Sequence, residues 1–534
     1  MTRIQRKLTV ASTILALAPT GGPGFRSFFR RRLLAGAIAA AFGLIISPPA
    51  HATTYTWTGA PGATWDTTGM NWNPAGATWS ATTHNALLGS SNATVFGGGV
   101  FVNSFSGSGS LSATDINSTI RLGTGNSSFS GTIGQNLRVV WQDAATLDFS
   151  GTNNDTLNQW VFRRNGTLRL SSADAWKTNS NAKVEDITAN LGFTIELAAA
   201  DESFNTANLY LNNGTTAGNG NFMRFAAIGA DRTVTWTGTT PGGAATAINW
   251  NNGGGTGENL GDTLGLGNAN ATHKLIWASG INLNGGSGAT LTRTIDVTNG
   301  TAAVGGEVSG VISDSGATKA TLVKTGSGTL LLSTNNTYAG ATTVSNGTLV
   351  VGQTNALGTG TATVKTNATL AIASGVVYTR AVTFEAGSVL AGQGTFTTNN
   401  WTTPAGLTLK PGLPVGSPTG TLTVAVGGAG NTLTLGANNV LRTVIQPDGV
   451  TYGKLTVSGA LDISAATARL VVSGPMPTGK IVIAEGTSIS GQFQSGNVDL
   501  SGLTGPGADK ATIYYTSTQV LLGPPPSGTV IWFR

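Results

Sequence analysis

Short runs in which every second residue is large and apolar recur along the chain. Thr119-Ile-Arg-Leu122, Thr146-Leu-Asp-Phe149, Thr167-Leu-Arg-Leu170 and Thr194-Ile-Glu-Leu197 share one form, with the second and fourth residues apolar and the third charged. That is the period of a strand with one face buried and one face wet. These runs step by 27, 21 and 27 residues. Further on, Gly328-Thr329-Leu330, Gly347-Thr348-Leu349, Ala368-Thr369-Leu370 and Gly387-Ser388-Val389 step by 19, 21 and 19. A Gly or Asn cluster follows almost every run, where the chain must turn. A short strand every ~20 residues leaves room for two more strands per period. That is one coil of a parallel β-helix, whose coils stack at ~4.8 Å. An antiparallel sandwich, with strands every ~8–12 residues, explains the strands but not the step. The spacing predicts an all-β parallel solenoid of roughly 20–24 coils, about 100 Å long. It also places Leu330, Leu349 and Leu370 in one internal column.

A longer period lies over the short one. Tyr55-Thr-Trp57-Thr-Gly59 is echoed by Val234-Thr-Trp236-Thr-Gly238, and Asn71-Trp72 by Asn249-Trp250. Leu88-Gly89 with Asn92-Ala-Thr94 returns as Leu266-Gly267 with Asn270-Ala-Thr272. Ser130-Gly131-Thr-Ile133 returns as Ser309-Gly310-Val-Ile312. The offsets are 179, 178, 178 and 179 residues. Four anchors at nearly one offset point to two tandem modules, 53–230 and 231–523, with a Pro-rich tail at 524–534.

Composition narrows the class. The chain of 534 residues holds 77 Gly without a Gly-X-Y period, which excludes collagen. A charged fraction of 10% excludes a solvating charged tail and argues against a helical bundle. Cys is absent, so no disulfide staples the fold and its stability must come from stacking.

The net charge of +6 belongs to one segment. Arg3, Arg6, Lys7, Arg26, Arg30, Arg31 and Arg32 lie within residues 1–52, where no acid occurs. Of 29 Lys and Arg, 22 remain after that segment against 23 Asp and Glu. The remainder shows no cluster of bases suited to nucleic-acid phosphates, so no nucleic-acid partner is expected. Residues 1–52 read as an export signal peptide. Arg30-Arg31-Arg32 precede an apolar run from Leu33 to Ile46, and Ala50-His51-Ala52 offers a small-x-small cleavage site before Thr53. That run is shorter than the ~20 residues that span a bilayer, and no later stretch approaches that length, so no transmembrane segment is expected in the mature chain. The Arg-Arg-x-Leu-Leu pattern also fits a twin-arginine signal, except that Phe29 replaces the usual Ser or Thr. The ordinary secretory route is favoured.

The stretch 321–352 resembles the autotransporter-associated β-strand repeat, also called the passenger-associated transport repeat. The matching positions include Lys324, Thr325, Gly326, Gly328, Thr329, Leu330, Tyr338, Gly340, Thr342, Val344, Gly347, Thr348, Leu349 and Gly352. The resemblance implies a right-handed β-helix, secreted or displayed at the outer surface of a Gram-negative-type bacterium. Autotransporters end in a membrane barrel of at least eight long strands. Here the solenoid pattern runs to about Gly523, and only Pro524-Pro525-Pro526 and Val530-Ile-Trp-Phe-Arg534 follow. The expectation is a chain without its own barrel. It is then either a truncated reading frame or a free repeat protein that borrows its export.

Candidate chemistry is sparse. After the signal the histidines are His84 and His273, which supply neither a Ser/His/Asp arrangement nor a zinc site. No cofactor is expected, and no catalytic or metal-binding residue is assigned. A β-helical polysaccharide lyase or hydrolase needs carboxylates grouped on one face. The candidates are Asp143 with Asp148, Glu185-Asp186, Asp201-Glu202, and Glu258 with Asp262, each also readable as a solvated edge or turn. Aromatics are more suggestive. Trp57, Trp65, Trp72 and Trp79 recur every seven or eight residues, and Trp236, Trp250 and Trp277 echo them. Beside Asn and Thr they suit a glycan-binding platform, but large rings also cap the open end of a solenoid or seal a junction. The cap is the favoured reading. The sequence thus predicts a non-enzymatic, exported β-helical protein with a surface structural or adhesive role. Its expected partners are the export machinery, through residues 1–52, and a surface glycan or another cell-surface molecule. The alternative is a polysaccharide-binding or polysaccharide-degrading β-helix.

Overall fold

The computed structural model describes residues 53–526, apart from 66–71, 74–83, 185–191, 212–221, 251–259, 284–290 and shorter stretches between them. The chain divides into two units, and nearly all of the described residues lie in the second, Thr54–Arg534. Residues 1–52, with the predicted signal and cleavage site, lie outside the described residues.

The second unit is a parallel β-helix. Its strands are two to seven residues long, and its only helical turns among the described residues are Ser495–Asn497 and Ala508–Lys510. The largest sheet has 15 strands and the next has 12, each assembled from successive coils. Thr, Leu and Val dominate the strands, and the branched Thr and Val pack well on a pleated surface. Alternate residues point into the bore. Leu330, Leu349, Leu370 and Leu390 pair rung upon rung, each no more than 1% exposed. The expected column of Leu330, Leu349 and Leu370 is there, and Leu390 continues it. Val389 pairs with Thr369 and lies on the outer face, so the step is one residue longer than the Gly-Ser-Val motif implies. A shift of one residue exchanges the faces of a strand.

Two further expectations change. Thr146–Phe149, Gly166–Leu170 and Gly192–Leu197 are consecutive rungs of the main sheet. Thr119–Leu122 is not one of them. It sits in a separate six-stranded sheet, between Val100–Val102 and Arg138–Trp141. Alternation shows that a strand has a wet face, but not which wall of the coil it joins. The coils are also fewer than expected. The main sheet has thirteen rungs from His84–Leu87 to Val382–Phe384. The second sheet adds four, at Thr408–Pro411, Val440–Val444, Arg469–Pro475 and Val498–Thr504, to give seventeen among the described residues. The ~20-residue step holds around Thr342–Ala362, but elsewhere turns lengthen it, as where Trp277 follows Val234 after 43 residues.

The tandem anchors mark places where one coil touches the next. A Cβ on Gly131 would lie 1.7 Å from the Gly109 oxygen, and one on Gly310 would lie 1.9 Å from the Ser279 oxygen. Glycine recurs there because the backbone of the preceding coil occupies the space. Phe222–Ala227 pairs with Gly192–Leu197 on one side and Thr263–Leu266 on the other, so the main sheet runs unbroken across residue 230.

Both ends turn antiparallel. At the first, Thr53–Trp57 pairs with Trp72–Asn73. At the last, Gln519–Gly523 pairs antiparallel with Ile481–Glu485 and with Thr512–Tyr515. Reversing the chain at a sheet edge uses groups that would otherwise template another strand. Leu349 sits in the middle of its column, and its neighbours are held by parallel pairing on both sides. Leu349→Ala is expected to lower stability by about 2–5 kcal/mol, read as a shifted denaturant midpoint at unchanged slope.

Candidate functional site

The aromatic candidates lie inside. Trp57 is 5% exposed and Trp65 is fully buried, both within the continuous core. Trp72 pairs with Trp57 across the antiparallel end, and Trp79 lies outside the described residues. Trp236, Trp250 and Trp277 are buried in the bore as well. A ring without an open face gives a sugar nothing to stack on. The glycan platform expected from Trp57 and Trp65 is therefore corrected to core packing at the first coils.

The carboxylate candidates are scattered along the wall. Asp143 is in a turn after Arg138–Trp141. Asp201 accepts from the Thr233 amide at 2.8 Å, holding the next coil. Glu202 beside it is half-buried, and burial, with the Asp201 charge adding to it, pushes its carboxyl up to about 8. Asp262 lies outside that pair and acts on Arg293. Glu185, Asp186 and Glu258 are outside the described residues. Among the described residues no three His, Cys, Asp or Glu side chains gather as a metal site.

The charged third residues of the repeated runs do come together. Asp148, Arg169 and Glu196 occupy successive rungs on the outer face of the main sheet. Arg169 Nε meets Glu196 at 2.6 Å, and Ser171 Oγ donates to Asp148 at 2.5 Å. Glu196 is fully buried because the turn after Thr263–Leu266 folds over it. Asn268 and Asn270 Nδ2 donate to its second oxygen at 2.7 and 2.9 Å. A buried carboxylate with three donors has its burial cost met by hydrogen bonds. On the next rung Arg224 reaches past Gly265 to Asp296, two rungs further, at 2.5 Å, and Thr325 Oγ1 donates to Asp296 at 3.0 Å. Sequence reasoning flagged the strands but not these partners, which lie up to 74 residues away along the chain.

Two cations point inward, which the alternation did not foretell. Arg293 is fully buried, donates to the Leu283 carbonyl at 2.8 Å and to that of Trp250, and lies 5.8 Å from the Trp250 ring. Burial lowers its guanidinium to about 10, with the Asp262 charge opposing. Lys324 is 1% exposed. Its ammonium donates to the carbonyls of Thr325, Gly326 and Asn346 at 2.6, 2.8 and 3.0 Å. Burial draws it down to about 8, against the pull of Asp296. The lysine ties the turn of one coil to the corresponding turn of the next. Gly326 and Gly347 make those turns at φ 72° and 67°. Tyr338, fully buried, closes the same coil through a 2.7 Å contact between its hydroxyl and Thr342 Oγ1.

The fold and this wall define a parallel β-solenoid whose polar groups are spent on joining coils. Residues 322–351 match the family model of the passenger-associated transport repeat. The matched segment runs over two adjacent coils, whose turns at Gly326 and Gly347 Lys324 joins and between which Tyr338 packs, so the residues of the match include those that hold one coil to the next. No curated protein matches the chain. Among the described residues no helix is long and apolar enough to cross a membrane, which says nothing of strands.

The buried Trp57 ring makes a structural role at the first coils directly measurable. Trp57→Ala is expected to cost about 3–5 kcal/mol by chemical denaturation. Unchanged stability would contradict the packing role.

Proposed function

We propose that this chain is a passenger-like β-helical protein, exported from a bacterium and held at, or released from, its outer surface as a non-catalytic structural or adhesive rod. The observation that carries this reading is the passenger-repeat match at 322–351. That segment is an integral part of the stack, paired on both sides with neighbouring coils. The engagement of Asp148, Glu196 and Asp296 in coil-joining pairs also supports a wall built for rigidity. Residues 1–52 address the precursor to the export machinery and are removed before Thr53. A long stack of like coils presents the same wall at many levels, and weak contacts repeated along it add up.

The test is surface labelling of intact cells that express the full chain, with N-terminal sequencing of the exported protein. The expected outcome is external labelling of a protein that begins at Thr53. Retention inside the cell with residues 1–52 attached would overturn the proposal.

A further inference from the structure

Thr342, Ala362 and Val382 are partners on three successive rungs of the main sheet. Two residues before them, on the same three coils, stand Gly340, Gly360 and Arg380. A Cβ on Gly340 would lie 1.7 Å from the Ala320 oxygen, and one on Gly360 would lie 2.1 Å from the Gly340 oxygen. Backbones that close admit only glycine, and bare glycine leaves a trough in the wall. On the third coil Arg380 takes the glycine position and ends the trough. The result is a groove of about 400 Å³, lined by Thr359, Gly360, Thr361, Thr379, Arg380 and Ala381. That volume falls within the ~300–1,000 Å³ of small-molecule sites.

The arginine in this groove is poorly satisfied. Elsewhere on the wall Lys274 meets Glu307 at 2.5 Å, Lys365 meets Glu385 at 2.5 Å and Lys454 meets Glu485 at 2.9 Å. Arg380 meets no acid among the described residues. Its Nη2 donates to Asn355 Oδ1 at 3.3 Å, longer than the usual ~2.7–3.2 Å. Its Nε is buried without an acceptor among the described residues. A guanidinium has five N–H donors in a fork that fits a carboxylate. Around it Thr359, Thr361 and Thr379 are exposed, and a hydroxyl both donates and accepts. The lining includes no aromatic ring on which the apolar face of a neutral sugar could stack. One cation among three hydroxyls matches a ligand with one carboxylate and several hydroxyls, and a bare anion would leave the threonines unused.

We propose that the groove at Arg380 holds a single uronic-acid residue, its carboxylate on the guanidinium and its hydroxyls on Thr359, Thr361 and Thr379. The inference deepens the proposed surface role by naming a ligand, and rests on that reading only for where an acidic glycan is met. The assay uses purified protein, so its failure is separate from a failure of surface labelling. Three of the four polar contacts are open to water, where each contributes little, so the affinity belongs in the millimolar range.

The full chain is titrated with glucuronate and followed by saturation-transfer NMR of the ligand. Glucose, which keeps the ring hydroxyls, and acetate and phosphate, which keep only the charge, are titrated alongside. The expected result is saturable millimolar binding of glucuronate and weaker binding of the other three. Arg380→Gln is expected to cost about tenfold in affinity, the size of one charge-assisted contact. Thr379→Val, at an exposed position, should weaken binding in the same direction even if the arginine variant does not fold. Lys454→Gln, which removes a base already paired with Glu485 on other coils, should leave affinity unchanged. Unchanged affinity in folded Arg380→Gln and Thr379→Val variants would overturn the proposal. So would glucose, acetate or phosphate binding as tightly as glucuronate, or no saturable binding of glucuronate.

Discussion

Each strand of this protein finds its hydrogen-bond partners on the coils before and after it, so no coil can satisfy its own backbone. Register between coils is the constraint from which the other features follow. It requires apolar columns such as Leu330–Leu349–Leu370–Leu390 to stay aligned. It requires glycine where backbones close on one another, as at Gly131 and Gly310. And it requires the two ends to turn antiparallel, because only there would partners be lacking.

Charge serves the same constraint. Glu196 is buried with three donors from two other coils, and Lys324 with three carbonyls from its own turn and the next. An unpaired ion at either place would cost several kcal/mol, so each rewards one register over its neighbours. The passenger-repeat match is informative for this reason. Its lysine, its two turn glycines and its tyrosine lie where two adjacent coils are joined and aligned.

Much of this was legible in the sequence, because burial of one strand face leaves a period of two. The class of fold and the leucine column came from that pattern together with the ~20-residue step, and the repeat from the resemblance of 321–352. What stayed hidden depends on distances along the chain that no local pattern carries. Val389 looked like a column member until pairing showed Leu390 in its place. Thr119–Leu122 has the same form as its neighbours but joins another wall. Trp57 and Trp65 sit beside Asn and Thr, as a sugar platform would, yet the coil folds their rings inward. Lys410 and Arg442 read as isolated charges until the pairing of Leu409 with Leu441 sets them side by side.

Register is most directly tested by cross-linking, since the chain contains no Cys of its own. Thr343 and Thr363 are outward partners on adjacent rungs of the main sheet. At ~4.8 Å between strands, paired positions fall within the usual 4.4–6.8 Å Cα range of a disulfide. The account predicts that Thr343→Cys with Thr363→Cys oxidises readily to an intramolecular disulfide in the folded protein. It also predicts that Thr343→Cys with Val364→Cys, whose second side chain points into the bore, does not. Cross-linking of the second pair in preference to the first would contradict the register and the stack built on it.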